Sequence, residues 1–362
     1  MKLRILFILF TLFGPSVRAD QAFFYVTGSD GIYRDSVDTV TGKLVTLSMA
    51  SAVKDPNFLA LSPGSKSLYA TLDDSVAAFA VGSDGALKPI NEQPSGGAGP
   101  CHVSVDPAGR DVLVANYDGG CIACFPLNPD GSLGTRTALI TFTGSGPDPN
   151  RQKKPYAHSV YVDPGDKFVY ACDLGTDRVW ILKFDAARGM LAPADPPFAK
   201  VPPGNGARHL AFSPDGRFVY VSNEMGHSVT AFSRNAITGS LTRHQTVSAL
   251  PPGISAQGVT TAEIVCDPLG KWLYVSNRGC DTIAVFSIAS NGGLALTQST
   301  SSVAQYPRNF AIDPSGHWLI VAGQKDNRLA VLKIDPASGR LEPTDQFVTV
   351  SNPTCVLFEP AK

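Results

Sequence analysis

The sequence predicts an all-β chain folded as a seven-bladed β-propeller, its ring closed by an N-terminal strand pairing into the C-terminal blade. Three observations predict it: one strand-turn-strand pattern recurs along the chain, its spacing suits a four-stranded blade, and the two chain ends are complementary halves of a further copy. The pattern is an apolar strand ending in Asp-Pro or Ser-Pro, a turn with Gly and often a basic residue, and a second strand ending in Tyr-Val-x-Asn or a close variant.

The whole copies read PNFLALSPGSKSLYATL, PCHVSVDPAGRDVLVANY, AHSVYVDPGDKFVYACDL, ARHLAFSPDGRFVYVSNE, AEIVCDPLGKWLYVSNR and PRNFAIDPSGHWLIVAGQ. Their turn prolines are Pro63, Pro107, Pro164, Pro214, Pro268 and Pro314, spaced 44 to 57 residues apart. Proline sets φ at the start of each turn, and glycine supplies the positive φ that sends the second strand back antiparallel. A third strand follows, as in HSVTAF and DTIAVF, and a fourth comes after a glycine turn, as in TGSLTR and SGRLEP. NPTCVLFEP supplies a first strand without its second and AFFYVTG a second without its first, so joining them makes a seventh blade and leaves no open edge there. An open solenoid would instead need capping repeats at both ends.

Composition agrees. A chain of 362 residues with 43% hydrophobic residues can bury a large core, and 34 Gly with 28 Pro suit many strands joined by tight turns. A net charge of −1 without long charged blocks leaves no footprint for nucleic acid or an anionic membrane. At the N-terminus Lys2 and Arg4 precede an apolar run from Ile5 to Phe13; Gly14 and Pro15 break it, and Val17 and Ala19 suit a signal-peptidase site. Residues 1–19 are therefore read as a signal peptide and 20–362 as one propeller domain, secreted or periplasmic, a monomer with no membrane attachment after cleavage. Of seven cysteines, Cys121 and Cys124 lie three apart on a strand, facing opposite sides, and most are read as small buried apolar residues.

In a propeller the first strand of each blade runs nearest the axis. The residues six and five before each turn proline should then share one channel mouth with those at the end of the second strand. Those positions hold Asn57, Cys101, His102, His158, Arg208, His209, Glu263, Arg308, Asn309 and Thr354, with Asn116, Tyr117, Asp173, Asn223, Glu224, Asn277, Arg278 and Gln324 from the second strands. Titratable groups converging in a concave mouth point to a small-molecule site. His102, Asn116, Tyr117, His209, Glu263 and Arg308 are the expected substrate-binding residues. No metal-ligand spacing, nucleotide loop or GxSxG is present, so neither metal nor cofactor is expected. His227, His244 and His317 fall outside the mouth and are read as surface residues.

The segments CHVSVDPAGRDVLVANY, HSVYVDPGDKFVYACDLGTDRV, RHLAFSPDGRFVYVSNE, AEIVCDPLGKWLYVSNRG and PRNFAIDPSG resemble those of the propeller lactonase family, which includes bacterial 6-phosphogluconolactonases and fungal carboxymuconate cyclases. The resemblance implies a lactone-ring hydrolase acting on a small-molecule lactone or carboxylate. It implies catalytic roles for His158, Arg208, Glu224 and Arg278: His158 as base, Glu224 to orient it or to protonate the leaving alkoxide, and the arginines to hold substrate and oxyanion. An export signal points to a non-phosphorylated lactone, since phosphorylated sugar lactones are not expected outside the cytoplasm. The alternatives are a muconate cycloisomerase run in the lactonizing direction and a secreted propeller kept as a non-catalytic binding scaffold.

Overall fold

Each repeat closes on itself through the residue before its turn proline. Oδ1 of Asp106, Asp163, Asp267 and Asp313 accepts the backbone amides four and five residues further on, as from Arg110 and Asp111 at 2.6 and 2.7 Å in the first case. The Ser62 and Ser213 hydroxyls accept one such amide each, from Ser67 and Phe218. A short polar side chain thus stands in for a backbone acceptor and pins the start of the second strand. Gly109, Gly270 and Gly316 take the expected positive φ. In DPGDK the glycine comes one residue early, and Asp166 takes φ 56° instead.

These hairpins grow into seven four-stranded antiparallel sheets in the computed structural model, which describes residues 21–360 except Thr46. The predicted signal peptide, 1–19, lies outside the described residues. One blade consists of Ala207–Phe212, Phe218–Asn223, Ser228–Arg234 and Leu241–Ser248. The split blade has the order Val356–Phe358, Gln21–Gly28, Gly31–Asp38, Ser48–Ala52, and it joins the termini through Val26↔Val356, Tyr25↔Leu357 and Phe24↔Phe358.

The apolar core is divided into seven clusters, each filling the wedge between two neighbouring blades. Val179 and Ile181 of one blade pack with Leu210, Val221 and Phe232 of the next, and Phe24 and Val26 pack with Ile320 and Val331 across the closure. Hydrogen bonds latch the same interfaces: the hydroxyls of Tyr25, Tyr69, Tyr170 and Tyr274 donate to the carbonyls of Gly85, Gly131, Gly239 and Gly339 in the next blade. Trp318 Nε1 donates to the Thr39 carbonyl at 2.9 Å, latching the last whole blade to the split one. All seven cysteines are free thiols.

The turn glycine under each latch has positive φ, and two of the four lie against an aromatic ring, Gly239 on Phe168 and Gly339 on Trp272. Gly239→Ala therefore combines backbone strain with overpacking and should cost about 1–3 kcal/mol. Tyr170→Phe, which removes only the latch, should cost about 1 kcal/mol. Denaturant melts of the two variants check both values, and the glycine change should be the larger.

Candidate active site

A β-bulge in the first strand of each of five blades aims the site residues. Ala157 pairs with Asp173 and Ser159 with Cys172, so His158 is an extra residue without a partner in the ladder. Arg208 is the extra residue between Ala207↔Asn223 and His209↔Ser222, Arg308 between Pro307↔Gly323 and Asn309↔Ala322, and Cys101 between Pro100↔Asn116 and His102↔Ala115. The fifth irregularity lies between Thr261 and Ile264 and contains Glu263. A bulge breaks the strict alternation of a strand and re-aims the residue it inserts.

The result is a cup of about 510 Å³ at one end of the axis, large enough for a small sugar-sized ligand. The position six before the turn proline lines it with Asn57, Cys101, His158, Arg308 and Thr354, and the residue just past the second strand adds Tyr117, Glu224, Arg278 and Gln324. The position five before the proline lies behind this lining, which corrects the expectation for His102, His209 and Glu263. All three are buried and none lines the cup. Asn116 is likewise not a lining residue: its amide is fully buried and donates to the Ser95 carbonyl. Asp173, Asn223 and Asn277 also tie down local turns. His244 and His317 are exposed as expected, whereas His227 is half-buried with Nε2 on the Val259 carbonyl at 2.8 Å.

Glu224 is the electrostatic centre of the cup. Its Oε2 meets Arg208 Nε at 3.1 Å and Arg278 Nη2 at 2.9 Å, its Oε1 meets Arg151 Nη2 at 2.6 Å, and His158 Nε2 stands 3.9 Å away. Burial pushes the carboxyl up, but Arg278, Arg208 and Arg151 together pull it down to about 2. Glu224 is therefore an anion at any working pH, which corrects the expectation that it could protonate a leaving group. Burial first, then Arg208 and His209, hold the His158 imidazole well below 6.5, so it is neutral at pH 7. Burial and the neighbouring Arg278 and Arg308 bring Arg208 down to about 10, still charged. Arg208 is 1% exposed and does not line the cup; it backs Glu224 rather than facing a ligand. Burial pushes the Cys101 thiol up to about 12, and its Sγ donates to the His158 carbonyl at 3.2 Å, so it packs rather than reacts.

Arg151 is the lining residue that sequence reasoning missed. It comes from the long connection between Ala138–Thr141 and Ala157–Val162, which is held by Gln152 donating to the Leu174 carbonyl and to Asp177. The signal was the spacing of 57 residues between Pro107 and Pro164, the longest between adjacent copies. Three arginines, Arg151, Arg208 and Arg278, thus pair with one carboxylate, Glu224, and Arg308 joins Arg151 and Arg278 in the lining, to which Asp55, Asp73 and Asp118 also contribute.

Residues 22–358 match the family model described as Lactonase, 7-bladed beta-propeller. A 6-phosphogluconolactonase of Bacillus subtilis (strain 168) is 34% identical over 338 residues, 91% of this chain and 95% of the relative. A 6-phosphogluconolactonase of Formosa agariphila is 34% identical over 334 residues, 89% of this chain and 93% of the relative. Among solved structures, a periplasmic gluconolactonase of Pseudomonas aeruginosa superposes with a TM-score of 0.87 at 28% identity, covering 94% of this chain and 99% of that one. With the closed ring of seven blades, this places the chain in the seven-bladed β-propeller lactonase family.

Proposed function

We propose that the cup hydrolyses the ring ester of a sugar lactone bearing an anionic group, of the 6-phosphogluconolactone type that the relatives' names give. The observation that carries this reading is a neutral imidazole, His158, lining a small cup with Arg308, which has no ion-pair partner among the described residues, and with Arg151 and Arg278, which share the carboxylate of Glu224. His158 takes a proton from water as the oxygen attacks the lactone carbonyl, and returns it to the ring oxygen as the C–O bond breaks. Arg278 faces the developing oxyanion, and Glu224 keeps Arg278 and Arg151 in place without itself giving up a proton. Arg308 has no carboxylate partner among the described residues and lines the cup, so it takes the anionic substituent of the substrate.

A second reading, a non-phosphorylated lactone handled outside the cytoplasm, draws on the export pattern from Lys2 to Ala19 and on the periplasmic gluconolactonase of Pseudomonas aeruginosa. Proton release from 6-phosphogluconolactone and from gluconolactone, measured side by side, separates the two. Under the first reading Arg308→Ala raises KM for the phosphorylated lactone about tenfold to a hundredfold and leaves the neutral one nearly unchanged. Equal use of both lactones by the wild type, with no effect of Arg308→Ala, supports the second. A folded protein that speeds the opening of neither lactone sinks both.

His158→Ala should lower kcat about a hundredfold or more. Since the folded pKa of His158 lies below 6.5, the base is unprotonated at and above that pH. The rate should hold steady from pH 8 down to 6.5 and fall only further into acid, as a pH series of kcat/KM would record. Arg208→Ala should act differently from Arg308→Ala. It uncovers a buried carboxylate and should cost about 3–5 kcal/mol of stability, seen in a denaturant melt.

A further inference from the structure

We propose that His209 and Glu263, behind the lining of the cup, are positioning residues that hold His158 in its Nδ1-protonated form and so leave Nε2 free to take the proton of the attacking water. The proposal rests on the reading of His158 as the base. The rings of His158 and His209 meet edge to face with centroids 5.2 Å apart. Each has one buried nitrogen without a hydrogen-bond partner, Nδ1 of His158 and Nε2 of His209. The two rings are in contact but no bond joins these nitrogens as placed; a small turn of either ring that brought them together would satisfy both, if one carries a proton and the other a lone pair.

Glu263 decides which is which. His209 Nδ1 lies 3.0 and 3.1 Å from the two Glu263 oxygens, and Glu263 also accepts from the Ile264 amide at 2.9 Å and from Asn309 Nδ2 at 2.5 Å. Asn309 is itself oriented by the Val356 amide, which donates to its Oδ1 at 2.8 Å. Burial raises the Glu263 carboxyl, but His209 and Arg208 bring it below the usual value, so it is an anion that only accepts. The His209 proton must then sit on Nδ1. Burial keeps the His209 ring from taking a second proton, which leaves a lone pair on Nε2. That lone pair calls for a donor, and the Nδ1–H of His158 supplies it. His102, the other imidazole against His209, accepts the Val160 amide on Nδ1 at 3.4 Å; of the two, His158 is the one with a buried nitrogen that has no partner.

Without this relay His158 would adopt the wrong tautomer. Among the described residues Glu224 is the one carboxylate within 4 Å of its Nε2, and a carboxylate favours a proton there, which would abolish the base. At 3.9 Å, with Oε2 already engaged by Arg208 and Arg278, Glu224 makes no hydrogen bond to the ring. In the hydrolysis the water proton passes to His158 Nε2, the new C–O bond forms, and the same proton leaves on the ring oxygen. The His209–Glu263 pair stabilises the transient imidazolium from behind without gaining or losing a proton.

The test is long-range ¹H–¹⁵N spectroscopy of histidine-labelled protein, with His158→Ala for assignment, combined with kinetics of Glu263→Gln. The wild type should show His158 protonated on Nδ1. In Glu263→Gln the amide donates to His209 Nδ1, both tautomers reverse, and kcat falls about a hundredfold with KM unchanged. A wild-type His158 protonated on Nε2 overturns the proposal, as does a folded Glu263→Gln of unchanged kcat. Full lactonase activity in His158→Ala would overturn the reading of His158 as the base instead, while the tautomer spectrum still reports on the relay.

Discussion

No blade of this protein has a core of its own. The apolar side chains of each sheet are covered by the next sheet around the ring, so each of the seven clusters exists only where two neighbouring blades meet. The final closure rests on three residue pairs between Gln21–Gly28 and Val356–Phe358, helped by the Trp318 latch. The cup depends on the same closure. His158, Glu224, Arg278 and Arg308 come from four blades and are separated by up to 150 residues of sequence, so their distances are fixed by the wedge packing and not by local chain geometry.

Within that frame the buried charges are arranged in two tiers. In the upper tier Glu224 is a minority anion among arginines, and its ionisation follows from that imbalance despite its burial. In the lower tier Glu263 is matched to one histidine and one asparagine. Buried ions are costly unless paired and hydrogen-bonded, and both carboxylates meet that condition. The imidazole of His158 sits between the tiers, with cations on one side and the neutral rings of His209 and Tyr117 on the other, which keeps it unprotonated.

Much of this was legible in the residues. The Asp-Pro and Ser-Pro turns are local chemistry, and they carried the hairpins, the count of seven and the joining of the two ends. The position just past the second strand lines the cup with Tyr117, Glu224, Arg278 and Gln324, because a hairpin puts that position beside the start of the first strand. The distinction between His158 and Ser159, or Arg308 and Asn309, was hidden. It is made by a bulge, one residue more on one strand than on its partner, and no periodicity in the sequence announces that extra residue. For the same reason His102, His209 and Glu263 were placed in the cup when they lie behind it. Part of what ionises Glu224 was also hidden: Arg278 and Arg208 act first, and Arg151 adds to them, brought in by a connection whose path follows from tertiary contacts of Gln152 and not from its own sequence pattern.

The tyrosine latches all run in one rotational sense, from the second strand of a blade to the outer turn of its successor. Such head-to-tail joints are indifferent to how many units they connect, as in any cyclic assembly built from one heterologous contact. A duplicated blade would find a socket ahead and a latch behind. What it would disturb is the bore: an eighth unit widens the circle of first strands and draws Glu224 away from the guanidinium groups that keep it charged. The chemistry at the hub therefore sets the number of blades more tightly than the joints between them do.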